Sequence, residues 1–354
     1  MSDVFPLTPT LGVGSEVGAT QGRESGRSAA TYAALDLGTN NCRLLIARPT
    51  SDGFRVVDAF SRIVRLGEGL SVTGRLSEPA IERTLAALRI CRDKMAARGV
   101  TRARTIATEA CRSAANGPEF VREVRDRIGV DLEIVDRETE AHLAAAGVGE
   151  LADRDARSIV MFDIGGGSSE IIWLEREERS GRRRVLAWES MRLGVVSLAE
   201  TFGGVDVNDR TFAAMTAYVS EALRPFVDRV ADEARCDRFH LLGTSGTVTT
   251  IAGVHLNLPR YDRRAVDGLW LEREAVDAAI GRVRSMTYAE RAANACIGHE
   301  RADLVLAGCA ILQAIRSEFP AERLRIADRG LREGILSQLM RDDRVGPHRR
   351  RPWR

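Results

Sequence analysis

The stretch from Ile159 to Ile172 reads IVMFDIGGGSSEII. An apolar run leads to Asp163, three glycines and two serines follow, and Glu170 opens a second apolar run. The pattern is strand, tight turn, strand. Glycines at a strand end permit backbone angles and close approaches that a Cβ forbids. Successive amide N–H groups in such a turn form a concave nest for phosphate oxygens. The hydroxyls of Ser168 and Ser169 add donors, and Asp163 and Glu170 are acidic groups able to hold Mg²⁺ or position water. The competing reading is a glycine-rich hairpin with no ligand.

The same element occurs earlier in the chain. With Asp36 set on Asp163, at an offset of 127 residues, Leu37 falls on Ile164, Gly38 on Gly165, Asn41 on Ser168, and Leu44 and Leu45 on Ile171 and Ile172. DLGTNNCRLL and DIGGGSSEII are one supersecondary unit written twice, and a repeat constrains the whole architecture. After the first copy, strands are expected at 43–47 and 55–66. A helix at 78–98 carries Ile81, Leu85, Leu88 and Met95 at helical spacing behind Ser77. Strands at 104–108 and 132–135 then alternate with helices at 118–128 and 138–147. The second copy continues with a strand at 184–190, helices between 195 and 235, and a strand at 239–242 that enters the turn Gly243-Thr244-Ser245-Gly246-Thr247. Meander followed by alternation implies an α/β protein with partly parallel sheets flanked by helices. Two lobes are expected, 30–148 and 149–341, with the last helix returning to the first. Each opens with an Asp-x-Gly hairpin facing one cleft, and clefts between lobes are favoured ligand sites.

Composition narrows the class. The chain has 354 residues, 44% of them hydrophobic, enough for two cores. With 52 basic and 50 acidic residues, no global field argues for nucleic acid. Six cysteines are scattered without a CxxC pair, which reads as reduced thiols in a cytoplasmic protein rather than a zinc site. No signal peptide and no apolar run of about 20 residues is present, so no membrane span is expected. Residues 1–29 read as a disordered extension and 342–354 as a solvated basic tail.

The motifs resemble the actin, sugar-kinase and heat-shock-chaperone superfamily, and within it the exopolyphosphatase and guanosine pentaphosphate phosphatase family, in a short form. The carrying stretches are LDLGTNNCRLL (35–45), ATEACRSAAN (107–116), ETEAHLAAAGV (138–148) and FDIGGGSSEI (162–171). LGVVSLAETF (193–202), GTSGTVTTIA (243–252), RADLVLAGCAIL (301–312) and ADRGLREGIL (327–336) follow in the family's order. The resemblance implies two actin-like (ribonuclease H-like) lobes with an inter-lobe active-site cleft. It implies hydrolysis that releases terminal phosphate from inorganic polyphosphate or pppGpp, with Mg²⁺ as cofactor. On the positions that match, Glu140 is the carboxylate that activates water, and Arg112 is the arginine near the terminal phosphate. Asp36, Gly38, Thr39 and Asn40 form the first phosphate loop; Gly165, Gly166, Gly167 and Ser168 form the second, bracketed by the acidic pair Asp163 and Glu170.

The residue types suit that chemistry, because anhydride hydrolysis asks mainly for positioning, charge neutralisation and an oriented water. Bland alternatives stand beside each assignment. Glu138 and Glu140 could be helix-start carboxylates favoured by the dipole. Glu109 is the rival base, Arg112 could be a surface arginine, and GTSGTVTT is equally a nucleotide-facing loop or a plain strand-to-helix turn. Two departures from the family are visible: Thr139 stands where many relatives have a second glutamate, and Ser197 where many have arginine. The chain also lacks the further helical domains of longer relatives, which argues against processive degradation of long polyphosphate. Rival functions are a sugar-kinase-like phosphotransferase, a non-catalytic sensor of polyphosphate or guanosine nucleotides, and, more distantly, a filament former. Pairing of two chains as a homodimer is left open.

Overall fold

The two apolar runs that lead to Asp36 and Asp163 form the central strands of two sheets, each covered by helices on both faces. The computed structural model describes residues 30–51, 53–177, 183–232, 234 and 239–345. The expected extension at 1–29 and Cys236 lie outside the described residues; of the tail expected at 342–354, residues 342–345 continue the last helix and the rest lie outside the described residues. The first half contains β1 (Tyr32–Leu37), β2 (Asn41–Thr50), β3 (Gly53–Ile63), α1 (Leu70–Thr73), α2 (Glu78–Ala97), β4 (Arg102–Ala107), α3 (Glu109–Ser113), α4 (Gly117–Ile128), β5 (Glu133–Ile134) and α5 (Arg137–Val148). The second contains β6 (Ser158–Ile164), β7 (Ser169–Arg176), β8 (Arg183–Met191), α6 (Val195–Phe202), α7 (Asp209–Arg229), β9 (Phe239–Thr244), α8 (Gly246–His255) and α9 (Arg263–Val266). It ends with β10 (Trp270–Glu272), α10 (Arg273–Ser285), α11 (Tyr288–Ala293), α12 (Val305–Glu318), β11 (Arg323–Ala327) and α13 (Leu331–Val345). No described helix is long and apolar enough to cross a membrane.

The sheets are ordered β3-β2-β1-β4-β5 and β10-β11-β9-β6-β7-β8. In both, the opening strand is antiparallel to its hairpin partner and parallel to the strand on its other side. The offset of 127 residues read from the sequence is therefore a shared register. Asp36 lies opposite Arg43 across β1 and β2, and Asp163 lies opposite Glu170 across β6 and β7. The fold is α/β, two actin-like (ribonuclease H-like) lobes.

Side chains alternate across a strand, so each central strand feeds two layers. Val160, Phe162 and Ile164 enter the large core under α7, α8 and α12, while Ile159 and Met161 face Ala141, Ala144 and Val148 of α5. In the first sheet, Tyr32 and Ala34 meet Leu331, Ile335, Leu336 and Met340 of α13. Each half thus lends one helix to the other's sheet. The exchanged helices cross backbone to backbone. A Cβ on Gly147 would lie 1.8 Å from the Gly330 carbonyl oxygen, and one on Gly334 would lie 1.9 Å from that of Leu143.

A second bridge between the lobes uses other elements. Arg65, at φ 48°, pairs through both terminal nitrogens with Asp303 (3.0 and 3.1 Å) and donates to the Glu300 carbonyl at 3.0 Å. Glu200 of α6 accepts from the Gly69 amide at 2.9 Å and from the Ser71 hydroxyl.

The crossing makes a directional prediction. Gly→Ala inside a helix normally gains up to about 1 kcal/mol, and Gly281→Ala in α10, where nothing lies within 4 Å, should be neutral or stabilising. Gly334→Ala should instead cost about 1–3 kcal/mol from overpacking, read as a lower thermal midpoint. Equal gains at both positions would contradict the backbone contact.

Candidate active site

Two hairpin turns and several helix starts converge on one cavity of about 740 Å³ between the lobes. The first turn is Gly38-Thr39-Asn40, closed by the Gly38 amide donating to the Asn41 carbonyl at 2.9 Å. The second is Gly165-Gly166-Gly167-Ser168. They touch: a Cβ on Gly167 would meet Thr39 Oγ1 at 2.6 Å, and one on Gly166 would meet the Asn40 nitrogen at 3.2 Å. Behind the second turn, the carbonyls of Gly165 and Gly166 accept from the amides of Val195 and Val196 at 3.0 and 2.8 Å. The carbonyls therefore face the start of α6, while the amides of Gly166 and Gly167 have no protein acceptor among the described residues. The first residues of α6, α8 and α13, with Glu140 of α5, line the same cavity. Helix N-termini present donors and partial positive charge, so their convergence favours an anion.

The strand-to-helix turn after β9 lies in this site. Ser245 holds φ 83° and ψ −177°, a region that side-chain-bearing residues rarely adopt, with its hydroxyl on the Ile164 carbonyl. Backbone strain of this kind costs on the order of 1–3 kcal/mol and persists where surrounding contacts enforce it.

Carboxylates dominate the electrostatics. Burial pushes Asp163 up to about 6; Asp36 adds to the shift and Arg43 opposes it. Burial, reinforced by Asp163, pushes Glu170 up to about 7 against hydrogen bonds from Ser190 and Ser168, the former at 2.8 Å. Glu140 is 9% exposed, and burial with the nearby Glu170 charge holds it well above the usual carboxylate range, although Arg112 opposes this. Asp36 is raised by burial and opposed by Arg43 and Arg332.

Arg112 sits between two glutamates. It donates to Glu140 at 3.0 Å and the Val135 carbonyl at 2.7 Å, and to Glu109 at 2.7 and 3.2 Å. The arginine expected near the terminal phosphate thus spends its guanidinium orienting Glu140. Glu109, the rival base, has its oxygens taken by Arg112, Ser113 and Arg137. Burial raises its pKa, but those partners outweigh burial and hold it below the usual range. Each of its oxygens is engaged by at least two donors. Glu138 is exposed and His142 bonds its own helix, so neither joins the site.

Five arginines that no reading of the motifs singled out also line the cavity; Arg263 and Arg329 are in ion pairs, which leaves three, Arg43, Arg301 and Arg332. None has a carboxylate ion pair among the described residues, and burial lowers the pKa of Arg301 and Arg332. Arg43 had a legible signal, because the 127-residue offset sets it on Glu170. Arg301 and Arg332 open or interrupt the stretches RADLVLAG and ADRGLREG, where sequence alone attaches no role to them.

The chain's likenesses agree with this architecture. The model of the Ppx/GppA phosphatase family matches residues 45–343. A crystallised Ppx/GppA family member from Aquifex aeolicus is 26% identical, with a TM-score of 0.71 over 88% of this chain and 98% of that one. An exopolyphosphatase-like protein of known structure is 29% identical, with a TM-score of 0.80 over 90% of this chain and 99% of that one. An exopolyphosphatase from Cytophaga hutchinsonii, at 23% identity, shares the fold with a TM-score of 0.80 over 88% of this chain and 98% of that one. With the family model spanning both hairpins' lobes from β2 to α13, this chain belongs to the Ppx/GppA phosphatase family.

Proposed function

We propose that the protein is a cytoplasmic phosphohydrolase that releases the terminal phosphate of inorganic polyphosphate or pppGpp, with Glu140 activating the attacking water. One observation carries this reading. Glu140 is a buried carboxylate of raised proton affinity, oriented by Arg112 and lining the cavity where two glycine turns meet. Family membership and likeness to an exopolyphosphatase-like protein support it.

In this reading the terminal phosphate rests on the turn amides of Gly166 and Gly167, with Thr39 and Ser168 beside it. Water held by Glu140 attacks phosphorus in line, and Glu140 takes the proton. The bond to the bridging oxygen breaks, and the departing phosphate chain leaves as an anion in the field of Arg43, Arg301 and Arg332. Pre-set donors and charges of this kind need no reorganisation as charge moves.

Mg²⁺ suits the residues present. Asp163 and Glu170 stand on facing positions of one hairpin, offering two hard oxygen ligands, and Asn40 Oδ1 is buried without a partner, an acceptor for a cation's water. No three acidic, histidine or cysteine side chains among the described residues form a complete cage. Mg²⁺ commonly takes one or two carboxylates and completes its shell with water and substrate phosphate. Bound there, it would neutralise charge on the anhydride oxygens.

A side-by-side phosphate-release assay on short polyphosphate, long polyphosphate and pppGpp with Mg²⁺ tests the activity. Glu140→Gln should lower the rate about 10²–10⁴-fold with the fold intact; unchanged activity in that variant, or no release from any substrate, would sink the proposal. Because the base must be ionised, the acid limb of kcat should lie above the ordinary carboxylate range, and a limb near pH 4 would contradict the assignment.

The metal reading has its own test. Carboxylates whose folded pKa is raised stabilise the fold fully at acid pH, and that contribution is lost as pH rises through the folded values, here about 6 for Asp163 and about 7 for Glu170. Mg²⁺ should therefore raise the melting midpoint more at about pH 8 than at about pH 5. An equal effect at both would contradict a site on these two groups.

A further inference from the structure

The outer face of α5, turned away from the cleft, floors a second and larger cavity of about 1700 Å³. Its floor is small, with Ala145 and Ala146 beside the exposed His142. Its walls come from both lobes: β7 and β8 on one side, Gln338 and Arg341 of α13 on the other. Leu174 and Val185 are cross-strand partners on the wall, and two residues further along, at the same face, Arg176 lies directly opposite Arg183.

Like charges set opposite each other across an antiparallel pair are destabilising. No carboxylate among the described residues forms an ion pair with either. Among the described residues, Arg183 donates to the carbonyls of Asp153, Ala156 and Arg157, and Arg176 to that of Arg154. Arg183 is further disfavoured as a cation by burial and by Arg176, with Asp153 as a partial offset. Arg154 and Arg341 also line the cavity, and neither has a carboxylate partner among the described residues. The other charges are spoken for: Arg104 pairs with Glu133 at 3.0 Å and Glu150 with Arg329 at 3.3 Å, leaving Glu138 as the exposed acid at the rim.

We propose that this groove is a second, non-catalytic site for a linear inorganic oligophosphate. Four guanidinium groups from two walls suit closely spaced phosphate charges, since arginine binds them through paired donors. No Phe, Tyr or Trp among the described residues lines the groove, so a nucleotide base or single-stranded nucleic acid finds no stacking surface there beyond the single His142 ring. A ligand spanning Arg341 and the Arg176–Arg183 pair would tie the lobes together behind α5. The proposal requires no turnover, so it can stand or fall separately from the catalytic reading.

Calorimetric titration of tripolyphosphate into the full chain carrying Glu140→Gln, which keeps the probe intact, tests it. Two classes of site are expected. Adding Arg176→Ser with Arg183→Ser should weaken one class by about tenfold or more and leave the other. Because Arg183 also ties down residues 153–157, Arg341→Glu is the second variant, and it should weaken the same class. A nucleoside triphosphate should fill the cleft class alone. Binding indifferent to both sets of substitutions, whether in one class or two, or an oligonucleotide displacing tripolyphosphate from the groove would overturn the proposal, whereas a single class lost on these substitutions would count against the cleft alone.

Discussion

The crossing of α5 and α13 is the contact on which the rest of the molecule depends. The two helices meet through backbone at Gly147 and Gly334, each having left its own half to cover the other half's sheet. That exchange fixes what stands at the cavity. Glu140 lies seven residues before Gly147, about 10 Å of helix, and so reaches the cleft from the start of α5. Arg332 and Glu333 reach it from the start of α13, just past Gly330. A methyl group at the crossing would push apart the two elements that bring the candidate base and the anion-facing arginine to one place. A change in the angle between these helices would move Glu140 relative to the turns.

The cavity gathers buried charges of both signs. Asp36, Asp163, Glu170 and Glu140 are all pushed toward protonation, chiefly by burial. Arg43, Arg301 and Arg332 stand nearby without ion-pair partners among the described residues. A folded chain gains nothing from buried charges of both signs that fail to pair, and burying them is costly. In the proposed reading, a phosphate chain carrying a divalent cation would answer both halves, its oxygens meeting the arginines and its metal the acids. The same hairpin position is arginine in the first lobe and glutamate in the second, so one copy attracts anions and the other cations. Arg112 belongs to neither turn; by sitting between Glu109 and Glu140 it holds the candidate base in place without neutralising it.

Much of this was legible in the chain because it is local. The hairpins declare themselves by apolar run, acidic residue and glycines, and the constant offset of 127 residues carries over to the register of both sheets. The continuous burial of YAALDL and SIVMFDI, broken only at Asp36 and Asp163, marks central strands. What could not be read is non-local. Nothing in LREGIL says that its apolar face belongs to the first sheet, since that depends on a strand some three hundred residues earlier. The engagement of Arg112 with Glu109 and Glu140 needs the end of β4 and the start of α5 brought side by side. The turn around Ser245 was ambiguous because GTSGT carries no sign that the serine itself, rather than a glycine, takes the strained conformation. Arg301 and Arg332 were invisible as site residues because arginine is commonplace on surfaces, and only the folded cleft shows these two without partners.

The central claim is that this cleft delivers water, activated by a carboxylate, to a terminal phosphorus. Phosphorus-31 NMR of orthophosphate released from polyphosphate in oxygen-18 water tests it most directly. The account predicts that each released phosphate carries solvent oxygen introduced at the step of cleavage. Release of unlabelled phosphate, or appearance of the phosphoryl group on an added acceptor instead of in orthophosphate, would contradict it.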